Sequence, residues 1–488
     1  MIPRVKVSVS EDTTRYFTTN VDFVPVVIMK TMSGNIGTRE IVRSEAEFIQ
    51  KFGKGNELTP SAYALQTYLR TYSYAYVTRV AGSGAKYGTA TMSVTEAGEG
   101  TEPDVEYDLL SFKTTYKTQG FNGLELKLIN DTTAGKLYLT TTINSTVITS
   151  VKQNYSAGAT AKDLSEALDV ICSSINAMNL GIGVTNLFVE KLVTDPVPTI
   201  GEVRTNIDEG DSGLANITNN DVLSAISLYD TSDIQVDTMS IPEFSSADIV
   251  TAAVKVAEER GFMLLASTGS RDYSTCITDV QNYPKSNSLA IYFPNVLYSG
   301  FETPIPACVA VLTGYARNDS INKWLSPAGT QRGLLPLVNG LDLTTPLTEE
   351  NMSDLYDNII PVNSIKYVPN NGYAIWGQKT TDTTAIYMDR INIARLVKFV
   401  YREVYNLSSD FLFEPINEAT FTAWKLRVEA LLSKIRTNQG ILDYTYKMDD
   451  ENNTEATIAE NRLIGQIRIK PTEVAEFIDI DFVLTSEV

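Results

Sequence analysis

Residues 24–84 and 207–372 share one texture, and the stretch between them has another. Any fold for this chain has to accommodate that break. Before it, VPVVIM (24–29) reads as a compact apolar strand and SEAEFIQKFG (44–53) as a short helix. Ser44 is the expected N-cap, Glu47 three residues on completes a capping box, and Gly53 is the stop. TPSAYALQTYLRTY (59–72) follows as a second helix with Pro60 in its first turn, and YAYVTRVAG (74–82) as a strand. The order β-α-α-β predicts an α/β unit. From Ala85 to Asn206 short Thr- and Val-rich runs take over, among them LELKLIN, KLYLTTTI and TVITSV, parted by Gly, Asn and Asp. One helical stretch, AKDLSEALDVICSSINAM, interrupts them. Residues 85–206 therefore read as a separate β-rich module set into the α/β unit, with 207–218 as its outgoing linker. Beyond it the α/β alternation resumes: helix ADIVTAAVKVAEERG ending at Gly261, buried strand FMLLAST, strand SLAIYFPNVLY and a short helix in CVAVLTGYARND.

Both termini carry strand patterns. Val5, Val7 and Val9 alternate with polar residues before the Thr-rich stretch EDTTRYFTTN. At the other end Leu463, Ile467 and Ile469 alternate with polar residues, and so do Ile478, Ile480 and Phe482. Between Tyr373 and this closing pair lie two amphipathic helices, at about 388–406 and 417–437. In the first, Ile393, Leu396, Val397, Val400 and Val404 share one face, and Arg395, Lys398 and Arg402 make a basic stripe on another. The segment 389–405 holds four basic and two acidic residues, whereas 441–488 holds eleven acidic and four basic.

Charge and composition exclude several function classes. The net charge of −19 argues against sequence-independent nucleic-acid binding and against docking on anionic lipid. The sequence contains 0 histidines, which closes the Ser-His-Asp triad, the Cys-His pair, histidine metal ligation and histidine general bases. Cys172, Cys276 and Cys308 have no paired spacing and read as small buried residues in a reducing compartment. No signal-peptide pattern opens the sequence, and no run of 18 apolar residues is present. GSGAKYG (82–88) has the wrong spacing for a phosphate loop and leads into a Thr-rich strand rather than a helix. MDDENNTE (448–455) lacks the ligand spacing of an EF-hand and reads as a solvated hairpin turn. No catalytic residue, cofactor or metal site is indicated.

A collinear set of segments resembles the tail sheath protein family of contractile phages and related injection systems. SAYALQTYLRTYSYAYVTRV (61–80) resembles that family's early helix and its strand ending in Arg-Val. QGFNGLELKLI (119–129) resembles the turn and strand opening its inserted domain. SLAIYFPNV (288–296), GYARND with KWLSPAG (314–329) and YAIWGQKTT (373–381) are similar to later family segments. DRINIARLVKFV, the FLFEPINEATFTAW helix and the closing strands follow the family's C-terminal order. Asn318-Asp319-Ser320 runs on to Lys323-Trp324 without the family's usual glycine.

The resemblance implies an α/β (α+β) multidomain structural protein without enzymatic activity. Its expected parts are an N-terminal arm (1–20), a sheath core (21–84 and 207–372), a β-rich outer insert (85–206), a C-terminal domain facing a tube (373–473) and a C-terminal arm (474–488). Copies would form a helical polymer of hexameric rings around an inner tail tube protein, between baseplate and tail terminator proteins. The polymer would be assembled in the host cytoplasm and carried in the virion tail. On contraction it would drive the tube through a cell envelope. Val5, Val7, Val9, Leu463, Ile467, Ile469, Ile478, Ile480 and Phe482 would pair strands between subunits, and Arg395, Lys398 and Arg402 would face the tube. No nucleic acid, membrane insertion or cofactor is expected. Two other classes fit the composition: a β-rich surface adhesin, and a histidine-free glycosidase working through two carboxylates.

Overall fold

The computed structural model describes residues 23–476 apart from 99–100, 120–121, 144–145, 156–159, 179–186, 195–196, 232 and 385–386. Val5, Val7, Val9, Ile478, Ile480 and Phe482 lie outside the described residues. The chain forms two compact units. One comprises Val26–Leu228 with Ile241–Phe244, and the other Tyr229–Ser240 with the chain from Ser245 onward, joined by the residues up to Pro25.

In the first unit the strand Ala75–Arg79 lies between Pro25–Met29, to which it is parallel, and Glu40–Val42, to which it is antiparallel. Its helices begin and end where local chemistry asks them to. Ser44 Oγ accepts from the Glu47 N–H at 3.2 Å, and Gly53 closes the Glu45–Phe52 helix at φ +79°. Pro60 opens the helix Pro60–Tyr68. After residue 85 the chain builds two antiparallel sheets. One orders Tyr87–Glu96, Val105–Lys117 and Leu187–Lys191. The other orders Glu202–Asn206, Glu125–Asp131, Lys136–Ile143 and Thr146–Asn154. Leu126, Leu128, Leu137 and Leu139 point inward by strand alternation, and Leu168, Ile171 and Ile175 do so by helical spacing on Ala161–Met178. They belong to one hydrophobic core running from Met92 to Ile207.

The segment expected to be a linker is instead half of a paired neck. Lys86 and Asp211 exchange backbone hydrogen bonds at 2.9 and 3.1 Å, and Thr89 and Asp208 do so at 3.0 and 3.2 Å. Incoming and outgoing chains thus run antiparallel. At Gly82 a Cβ would sit 2.0 Å from the Asn216 carbonyl oxygen, so the close approach requires glycine there.

Arg79 fastens this neck. It is fully buried with no carboxylate beside it, and donates to the carbonyls of Gly34 (2.7 Å), Lys117 (2.8 Å) and Ser212 (2.7 Å). Burial lowers its pKa to about 10, so it stays charged at neutral pH. One guanidinium therefore joins the loop after the first strand, the end of the long module strand and the outgoing neck. Arg79→Met leaves three buried carbonyls unpaired and is expected to cost on the order of 3 kcal/mol or more. Hydrogen exchange should show the amides of Lys86, Thr89, Asp208 and Asp211 losing protection first. Uniform exchange across the unit would mean that Arg79 does not act on the neck.

In the second unit the strand order is Gly372–Trp376, Asn363–Val368, Leu289–Phe293, Met263–Ser267, Thr238–Ser240, parallel except for Gly372–Trp376. Met263–Ser267 and Leu289–Phe293 are almost wholly buried, as parallel strands covered on both faces must be. The helix Ala247–Arg260 makes the crossover between Thr238–Ser240 and Met263–Ser267 and stops at Gly261 in the left-handed region (φ +73°). A separate core gathers Trp324, Leu396, Val400, Val404, Phe421, Trp424, Val428, Leu432 and Ile435 around the helices Ile391–Ser409 and Glu418–Thr437. No described helix is long and apolar enough to cross a membrane.

Candidate assembly interface

After the helix Glu418–Thr437 the chain forms a two-stranded antiparallel sheet, Ile441–Lys447 with Gln466–Pro471. Tyr444 stands opposite Ile469, and Tyr446 opposite Ile467. These four half-buried side chains make one face and pack on the Trp424 core. Tyr444 Oη also donates to Glu429 of the helix at 2.8 Å. Gln466, Arg468 and Lys470 point to solvent. Among the described residues no third strand joins either edge, so each outer edge keeps unpaired backbone donors and acceptors. The side chains of Leu463, Ile467 and Ile469, expected to serve pairing between subunits, pack against this chain's own core. The backbone edge is the part of the strand pair left open.

The long connection between the two strands is ordered from within. Asn453, buried, donates to the carbonyls of Asp449 and Ile464 at 3.0 Å each and accepts from the Ile464 N–H at 2.6 Å. Composition alone suggested a solvated turn here, because one structural asparagine among polar neighbours leaves no pattern.

A second anchor lies where the chain leaves the hairpin. The Glu476 carboxylate receives Tyr356 Oη at 3.0 Å, Gln378 Nε2 at 3.0 Å and Arg390 Nε at 2.6 Å. Burial and the neighbouring Glu476 carboxylate push the Tyr356 hydroxyl well above its ordinary pKa, so it stays a donor. Three donors from separate elements thus fix the residue after which the terminal segment begins. Nothing in the sequence around Glu476 marks it.

The basic stripe on the helix Ile391–Ser409 lies elsewhere than expected. Arg395 is 5% exposed and donates through Nη2 to both Asp319 oxygens, at 2.8 and 2.6 Å. Arg402 is 9% exposed and donates to Asp237 at 3.1 Å. Lys323 holds the same Asp237 at 2.7 and 2.8 Å. Lys398, partly covered, donates to Ser288 Oγ at 2.6 Å. The expected tube-facing stripe is therefore corrected: Arg395 and Arg402 are committed to carboxylates of their own chain. Helical spacing shows that a stripe exists but not which way it faces, and the partners lie 76 and 165 residues away in sequence.

Electrostatics follow from this enclosure. Burial alone would raise the Asp237 carboxyl, but Lys323 and Arg402 override it and hold the group well below the usual carboxylate range. Burial pushes Asp319 up, with Arg395 pulling against it. Among the described residues no group of His, Cys, Asp or Glu is placed to hold a metal ion.

Asp237→Asn leaves two buried cations uncompensated and should cost about 3–5 kcal/mol in denaturant unfolding. Because the folded pKa of Asp237 is depressed, its contribution is present above the ordinary carboxylate range and is lost as pH falls through the folded value. The wild-type chain should therefore lose more stability on acidification than the variant. Lys398 gives the opposite test. Burial lowers its pKa to about 8 from 10.5, so between these values the unfolded chain binds more protons and stability rises with pH. Lys398→Met should flatten that rise, and unchanged unfolding midpoints on both sides of about pH 8 would contradict the burial.

Comparison with known proteins places this geometry. No protein-family model matches the chain. The tail sheath protein of Vibrio phage KVP40 is 30% identical over 184 residues, which is 38% of this chain and 26% of the phage protein. The tail sheath protein of Enterobacteria phage T4 is 29% identical over 184 residues, 38% of this chain and 27% of that protein. The chain thus matches about a quarter of these relatives' length. Among solved structures, the sheath tail protein of Desulfitobacterium hafniense superposes with a TM-score of 0.62 at 10% identity, over 91% of this chain and 94% of that one. The sheath tail protein Lin1278 of Listeria innocua gives 0.59 at 13% identity, over 94% of each chain. The sheath complex of an extracellular contractile injection system, in its contracted state, gives 0.56 at 13% identity, over 100% of this chain and 98% of that one. The fold of this chain is therefore the sheath fold of contractile systems, and the sequences similar to part of it are phage tail sheath proteins.

Proposed function

We propose that this chain is the structural subunit of a contractile tail sheath. Copies polymerise as a helical sleeve, in hexameric rings, around an inner tail tube between baseplate and terminator proteins. The sleeve shortens and widens to drive the tube through a host envelope, and it acts by packing rather than by catalysis. The observation that carries the reading is the two-stranded sheet Ile441–Lys447/Gln466–Pro471, buried on one face and open at both edges. Open edges with unpaired backbone donors and acceptors invite a strand from another chain. Charge supports the terminal segments as the donors. Arg468 and Lys470 line the outer strand, while Asp479 and Asp481 sit among Ile478, Ile480 and Phe482 beyond the anchored Glu476. Opposite charges across a strand pair contribute about 0.2–1 kcal/mol each, and every subunit repeats them. In the described conformation, contact with a tube falls to residues other than Arg395 and Arg402.

Electron microscopy of the purified chain tests this directly. The full chain should form helical tubes. Deleting residues 477–488, or 1–20, should leave a soluble subunit with an unchanged far-ultraviolet circular dichroism spectrum and no tubes. Glu476→Ala should fold equally well but assemble poorly, because the terminal segment then leaves from an unfixed point. Tubes of normal length and order from either truncation would overturn the strand-exchange reading.

A further inference from the structure

Beneath the helix Ile391–Ser409, the side chains of Asp237, Lys323, Arg395, Lys398, Phe399 and Arg402 line a cavity of about 20 Å³. Its charge does not balance. Four cations, Lys323, Arg395, Lys398 and Arg402, meet two buried carboxylates, Asp237 in the wall and Asp319 behind Arg395. Glu403 approaches Arg402 Nε only to 3.8 Å and is itself about a third exposed. Glu258 near Lys398 is exposed. This set therefore carries an excess of two positive charges.

The donor count is unbalanced in the same sense. Arg395 spends Nη2 on Asp319, while its Nη1, in a side chain 5% exposed, has no hydrogen-bond acceptor among the described residues; Arg402 Nε is likewise without one. A buried charge-bearing donor left unpaired is costly, and two uncompensated cations in a low-dielectric interior add to that cost. A water-sized guest needs roughly 10–15 Å³, so the space suffices for one water or one single-atom ion. Phosphate, sulfate and a carboxylate side chain are each larger than this volume. Water would accept hydrogen bonds but leave the charge as it is. A halide would accept from the orphan donors and offset one of the two charges.

We propose that this cavity binds one small monovalent anion, of chloride's size and charge, which acts as a buried counterion to Lys323, Arg395, Lys398 and Arg402. The anion joins residues from three places in the second unit: Asp237 before the first strand, Lys323 in a loop, and the long helix. Its occupancy therefore governs how firmly the helix is held on the sheet.

The test is thermal unfolding of the full chain in sodium chloride and in sodium gluconate at matched ionic strength. Gluconate is too large for the cavity and controls for screening. The midpoint should rise with chloride along a saturating curve and stay flat in gluconate. Lys398→Met removes one cation but keeps the three ion pairs to Asp237 and Asp319, and should move the half-saturating chloride concentration upward by about tenfold. Crystals soaked in bromide should show an anomalous peak between Arg395 and Lys323. Equal midpoints in the two salts, or a bromide-soaked crystal with no peak in the cavity, would overturn the proposal. The bromide experiment uses the unaltered chain and decides the matter even if the variant fails to fold. Neither readout depends on tube formation.

Discussion

Asp237 ties together four parts of the second unit. Its N–H donates to the Val24 carbonyl at 3.0 Å, and its carboxylate accepts from the Val24 N–H at 2.9 Å. Its own carbonyl accepts from Met263 at 3.1 Å. Lys323 and Arg402 then close on the carboxylate. An incoming segment, a central strand, a loop and a long helix thus share one residue. Buried ion pairs are weak contributors to net stability, because desolvation consumes most of the attraction, but they tolerate few alternative arrangements. The helix Ile391–Ser409 is held in one place by such pairs. The Trp424 core and the open hairpin take their positions from that helix.

The parts of the fold that are written locally were legible. Ser44, Glu47 and Gly53 mark a helix within ten residues, and the structure uses Ser44 and Gly53 as a cap and a stop. Glu47 departs from the expected capping box: it accepts from the Arg43 N–H at 2.8 Å, one residue earlier than the box requires. Buried parallel strands such as Met263–Ser267 announce themselves as apolar runs. Illegible features are those whose meaning lies in distant partners. Arg395 and Arg402 look like a solvated face until Asp319 and Asp237 are brought beneath them. The segment 207–218 looks like a linker because it is rich in Gly, Asp and Asn, yet those residues make a tight ribbon. Asn453 and Glu476 are single polar residues in polar surroundings, and no periodicity singles out such anchors.

The hairpin shows how a chain can carry an unfinished sheet without collapsing around it. Tyr444, Tyr446, Ile467 and Ile469 bind one face to the helix Glu418–Thr437, so the strands keep their register before any further strand arrives. Arg468 and Lys470 keep the outer strand charged, which discourages indiscriminate edge-to-edge association and favours a partner of opposite sign. Under the proposed strand exchange, folding and association are separated: packing against the helix completes the first, and the free edge serves the second.

The neck beside Arg79 bears on how such a chain changes over evolutionary time. Lys86 and Asp211 are hydrogen-bonded to each other although well over a hundred residues of chain run between them. For the surrounding α/β unit, the two ends of the module are already joined, whatever lies beyond them. Loop-closure entropy grows only with the logarithm of length, so a larger or smaller module changes the host by little. A lineage can enlarge, trim or exchange what it carries there while the surrounding α/β framework stays the same. The neck is in that sense a socket, and the module's history can run at a pace of its own.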